Sequence, residues 1–150
     1  AGAPDSLTLT VDLPHKLPGG NCLGRQASGH VAISTYSLKN EELDCSVTAV
    51  TFDIDGTRKE KTEAAALVAG VRDFQVRYAE WTGANLQYVD SPAQWAQVTA
   101  VEVCLHLAGP VNGEVAADIT DCSGAPRAVA DGRLHRVYRQ VFQLRNLDRR

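Results

Sequence analysis

Hydrophobic and polar residues alternate along most of this chain, most sharply in residues 101–107. Val101, Val103, Leu105 and Leu107 take every second position and Glu102, Cys104 and His106 those between, the period of a strand with one face in a core. A helix would scatter the four apolar residues around its circumference. In residues 71–78, Phe74, Val76 and Tyr78 alternate with Gln75 and Arg77. In residues 134–146, Tyr138, Phe142 and Leu144 share one parity while Val137 and Val141 hold the other. Apolar residues on both parities predict that this last strand is central or covered.

The first half reads similarly. Leu7, Leu9, Val11 and Leu13 alternate with Ser6, Thr8, Thr10 and Asp12 to predict a strand, which Pro14, Pro18, Gly19 and Gly20 interrupt. A second strand is predicted over 30–36, with Val31 and Ile33 inward, and a third over 45–54; residues 39–42 form a turn and Asp55-Gly56 a tight one. Residues 59–69 are rich in Glu, Lys, Ala and Leu, which predicts one short helix ended by Gly70. Ser91 and Pro92 match an N-cap and first helical position, so a single turn is predicted before the middle strand. Residues 109–133 read as a long connection punctuated by Asn112-Gly113, Ser123-Gly124, Pro126 and Asp131-Gly132.

At 150 residues and 44% hydrophobic, the chain can bury roughly 70% of its unfolded surface, enough for one core, and one domain over 1–150 is expected. A formal charge of −3 gives no overall attraction to nucleic acid or anionic membrane. No window approaches the ~20 apolar residues of a membrane helix. The absence of methionine predicts that a segment precedes Ala1.

Four cysteines without a CxxC spacing point to disulfides in an oxidising compartment. Three pairings exist. Cys22 with Cys45 and Cys104 with Cys122 are favoured, because each closes a loop of about 20 residues, worth ~3 kcal/mol in the loop-entropy model. Four reduced, buried cysteines are the alternative.

Catalytic motifs are absent: there is no GxSxG, HExxH or glycine-rich phosphate loop, and no His/Cys cluster at metal spacing. His106 shares a strand face with Glu102 and Cys104, but the simpler reading is a solvated second face beside an oxidised cysteine. His15, His30 and His135 have no partner legible in the sequence. A calcium-loop frame through Asp53, Asp55 and Gly56 places threonines, Thr51 and Thr62, where carboxylates are needed, so an exposed acidic turn is the better reading. No catalytic, cofactor or metal residue is assigned.

Six of the fifteen Lys and Arg residues fall at or after Arg133, namely Arg133, Arg136, Arg139, Arg145, Arg149 and Arg150. The first four are candidates for partner or DNA contact. Their parities place them on both faces of a strand, which favours an edge-protecting or partner-facing role over a phosphate track. Trp81, at a strand end before Thr82-Gly83, is the better candidate for an exposed contact, whereas Trp95 reads as a lid on the core.

The apolar turn Leu67-Val68-Ala69-Gly70-Val71, the VRDFQVRY strand, the Gln94-Trp95-Ala96-Gln97-Val98 turn and the closing Val141-Phe142-Gln143-Leu144-Arg145-Asn146 resemble the end of PilW-type minor pilins. Asn21-Cys22-Leu23-Gly24 and Leu43-Asp44-Cys45 sit where that family carries a cysteine pair, so the resemblance covers most of the chain. It implies a pilin-like α+β fold: an antiparallel sheet of five to seven strands with one short helix, lacking the long N-terminal pilin helix. It also implies a non-enzymatic subunit, anchored in the inner membrane with a periplasmic domain, that joins other minor pilins to prime the major pilin and ends near the pilus tip. Trp95, Leu144, Arg145 and Asn146 match the family's landmarks and read as structural. The face of Val101, Val103, Leu105 and Leu107, or its neighbour, is the expected packing surface for the N-terminal helix. The alternatives are a type II secretion pseudopilin and a DNA-binding competence pilin.

Overall fold

The computed structural model describes residues 5–12, 21–25, 29–113 and 116–144. It contains ten strands: β1 Ser6–Asp12, β2 Val31–Lys39, β3 Glu42–Phe52, β4 Arg58–Ala69, β5 Val71–Trp81, β6 Leu86–Val89, β7 Val98–Val111, β8 Ala117–Thr120, β9 Pro126–Val129 and β10 Arg133–Gln143. A single 3-10 turn, Trp95–Gln97, is the only helical element among the described residues. The α+β expectation is therefore corrected to a β-rich, antiparallel fold. The chain divides into two compact units, one running Ser6–Ala69 and the other taking Gly70 onward together with Asp5.

The first unit is a four-stranded antiparallel meander, β1-β2-β3-β4. Its core is Ala32, Leu43, Cys45, Val47 and Val50. The β2–β3 hairpin closes through Asn40 and Glu41, both in the left-handed region (φ 50° and 62°), as a tight two-residue hairpin turn requires. The turn after β3 also closes a hairpin: the Asp53 amide donates to the Thr57 carbonyl and the Thr57 amide to Asp55 Oδ1, leading the chain back as β4.

That return explains why residues 58–69 are a strand and not the helix their composition suggests. Helix propensity is worth only tenths of a kcal/mol per residue, whereas β4 forms a ladder with β3 from Phe52↔Arg58 to Glu42↔Ala69. The sequence carried a contrary sign. Arg58 pairs with Glu60 and Lys61 with Glu63, and residues two apart meet on a strand but not on a helix. Gly70 ends β4, as φ +76° at the joint between two strands and not as a helix cap.

The second unit is built on the sheet β10-β7-β5-β6, with β8 and β9 forming a separate two-stranded sheet inside the supposed long loop. Val71, Phe74, Val76, Ala79, Val98, Ala100 and Val101 are buried. The Asp5 amide donates to the Phe74 carbonyl and Asp5 Oδ2 accepts from the Val76 amide. Buried Glu80 accepts from the amides of Ala93 and Gln94, fixing the entry to the 3-10 turn. Gln94, not Ser91, is the N-cap residue there, and no side chain caps the turn.

Two further expectations are corrected in this unit. Among the described residues the last strand, β10, is an edge strand and not a central one, and apart from His135 it is half-buried or exposed. Trp95 is not a core lid: it is 63% exposed and packs edge-on against Tyr78, with centroids 4.9 Å apart.

Candidate functional site

Paired residues in an antiparallel ladder share a face, so the register sorts the second unit's sheet into two surfaces. One carries Val101, Val103, Leu105 and Leu107, opposite Phe142, Gln140, Tyr138 and Arg136 on β10 and Tyr78, Val76, Phe74 and Val71 on β5. Val101 is buried, while Val103, Leu105 and Leu107 are half-buried. Tyr138 and Phe142 beside them are 58% and 53% exposed. An apolar strip thus runs along the β10 side of this face.

The other face is not solvated as its polar residues suggest. Cys104 and His106 are buried, and so is His135 on β10. Cys104 is joined to Cys122 in the turn between β8 and β9, and in the first unit Cys22 is joined to Cys45. The turn holds its own shape through Asp121, whose Oδ1 accepts from the amides of Ser123 and Ala125 and from the Ser123 hydroxyl. Those bonds, led by the Ser123 side chain, keep the Asp121 carboxyl below the usual range. Arg139, which faces Cys104 across the ladder, donates to the Asp121 carbonyl. Two cross-strand neighbours thereby hold the same hairpin tip, one by a covalent bond and one by a guanidinium.

Beyond the latch lies a chain of three polar side chains. His135 Nε2 is 2.8 Å from Asp131 Oδ1 and His135 Nδ1 is 2.8 Å from His106 Nε2. The hydrogen bond from His135 holds Asp131 below its ordinary range, so the carboxylate accepts. When His135 is neutral its proton therefore sits on Nε2, its Nδ1 accepts, and His106 donates from Nε2. Burial, helped by the charges of His135, Arg127 and Arg72 and opposed by Asp73, lowers the His106 pKa from 6.5.

This lowered pKa sets a pH dependence. The unfolded chain binds the proton more readily than the folded one, so the stability that neutral His106 contributes is intact above pH 6.5 and lost as pH falls below it. The thermal midpoint should fall between pH 7 and about 5.5. In His106→Gln that slope should flatten, although the variant starts less stable.

Arg72, His106, residues 127–131 and His135 line a concavity of about 510 Å³. The arrangement can hold a proton and attract an anion. Its neighbouring thiol, Cys104, is oxidised, and among the described residues no group of three or more His, Cys, Asp and Glu can hold a metal. No helix of the described residues is long and apolar enough to cross a membrane.

The other sequence candidates are dispersed. Trp81 is 46% exposed at the end of β5. Arg136 is exposed on the apolar face, Arg139 is committed to the hairpin latch, and Arg133 begins β10. Arg145, Asn146, Arg149, Arg150 and His15 lie outside the described residues, as do Leu13, Pro14, Pro18, Gly19 and Gly20. His30 accepts from the Phe52 amide through Nδ1. The His106–His135–Asp131 chain was not foreseen; the available signal was His106 sharing a parity with an oxidised cysteine.

No curated protein and no solved structure matches this chain. The PilW family, described as Type IV Pilus-assembly protein W, matches residues 26–146, which takes in both units and all but the first predicted strand. The chain belongs to the PilW family of type IV pilus assembly proteins.

Proposed function

We propose that this chain is a non-enzymatic minor pilin whose working parts are subunit interfaces. It joins other minor pilins in a priming complex at the inner membrane, starts assembly of the major pilin and ends near the pilus tip. Membership of a pilus assembly family supports the class. The observation that carries the contact role is the apolar strip of half-buried Val103, Leu105 and Leu107 beside exposed Tyr138 and Phe142, since contiguous apolar surface marks interaction sites. An N-terminal pilin helix is the occupant proposed for this strip, with the anchor in the inner membrane and the domain in the periplasm.

Size-exclusion chromatography of the oxidised chain with soluble domains of the other minor pilins from the same genome tests the reading. Co-elution as a defined complex is the expected result. Elution alone with every partner, and also when the chain carries its N-terminal helix in detergent, would reject it.

A further inference from the structure

We propose that the concavity beside β9 takes an extended acidic segment of a partner pilus subunit, added in strand conformation along the outer edge of β9. The partner's identity rests on the minor-pilin reading; the site itself rests on the geometry.

Consecutive residues from Arg127 to Ala130 line this concavity. Successive side chains of a strand point to opposite faces, so a wall made of both parities is a strand edge and not a strand face. The other edge of β9 pairs with β8, and the sheet ends there among the described residues. The wall therefore offers main-chain donors and acceptors to an incoming strand, the basis of recognition by strand addition.

Charge selects the occupant. Arg127 is exposed on this wall, and Arg72, 3.8 Å from Asp131 Oδ2, adds a second positive charge to the lining. Asp131 brings one negative charge to the lining, and it is shared with Arg72 and His135. Asp131 Oδ1 accepts from His135 and from the Arg133 amide, and Asp73 Oδ1 accepts from Gln75. The His106 and His135 imidazoles share one hydrogen bond and bring no negative charge. With two guanidiniums against one carboxylate the lining is net positive, so an incoming carboxylate is favoured over a basic segment.

The probe is a capped five-residue peptide alternating valine and glutamate, titrated by NMR into the oxidised 150-residue chain. A peptide with glutamine for glutamate, and acetate alone, serve as controls. Binding should shift the Ala128 and Ala130 amides, slow their exchange with solvent and move the His106 and His135 ring signals. Arg127→Gln should weaken it about ten-fold while the thermal midpoint holds, because Arg127 is exposed. Equal binding of the glutamine peptide, unchanged affinity in Arg127→Gln, or shifts away from β9 would overturn the proposal. Acetate reproducing the ring shifts without any slowing of amide exchange by the peptide would reduce the site to a small-anion pocket and overturn it too. Peptide binding is scored apart from minor-pilin co-elution, so peptide binding without co-elution rejects the partner's identity and leaves the strand site standing.

Discussion

Replacing Cys104 and Cys122 together by serine should lower the unfolding free energy by about 3 kcal/mol. The bond spans 18 residues, and its loss restores the loop entropy of the unfolded chain. The effect should also be local. With the covalent hold gone, the hydrogen bond from Arg139 remains at the β8–β9 tip, and a single hydrogen bond to a charged donor is worth about 1.5–3 kcal/mol. Hydrogen exchange at Ile119 and Arg127 amides should therefore accelerate more than at Val76, which lies in the central sheet. Urea titration of the double variant and of the reduced parent gives the global figure; equal stability of oxidised and double-serine chains would contradict it. Opening the hairpin should also hydrate His106 and return its titration toward 6.5.

Gly70→Ala should cost a similar amount, about 3 kcal/mol, by a different route. Gly70 has φ +76°, and a Cβ there would meet the Ala108 carbonyl oxygen at 2.4 Å. That backbone cannot yield easily, because the Ala108 amide donates to the Gly70 carbonyl at 2.7 Å. The register shift between Val71 and Asp73 begins at the same point. Gly124 is the control: its φ is +87° but open space surrounds it, so Gly124→Ala should cost only about 1–2 kcal/mol. Denaturant midpoints that fall equally in the two variants would show that the left-handed backbone, and not the close approach, sets the cost.

Most strands were legible because their period-2 alternation is a direct product of one-sided burial. Val101 to Leu107 is the clearest instance, and the residues around Phe74 and Cys45 follow it. Residues 58–69 were misread because their composition favours a helix, while the ladder that overrides it is built by the preceding strand β3, whose pairing the composition of the segment itself does not show. Residues 109–133 were misread in a related way: β8 and β9 are four residues each, too short for periodicity to register. The edge position of β10 was hidden because apolar residues on both parities look alike whether covered or awaiting a partner. Least legible was the polar chain of His106, His135 and Asp131. His106 meets the local pair of His135 and Asp131 only after β7 and β10 pair, and no local spacing announces a hydrogen bond between residues 29 apart.

The strand that replaced the expected helix has a dynamic consequence. Every residue of β4 except Glu63 is exposed, so water reaches both of its faces, and besides the ladder to β3 it is held by the Arg25–Glu63 ion pair. It adds little apolar burial, and its exposed ion pairs are each worth no more than about 1 kcal/mol. The edge strand β4, and not β3 with its buried Leu43, Cys45, Val47 and Val50, is then expected to open at a small free-energy cost. Fluctuations that peel β4 away on timescales far shorter than global unfolding would bare the second edge of β3, alternately creating and removing a pairing surface that the static fold does not present.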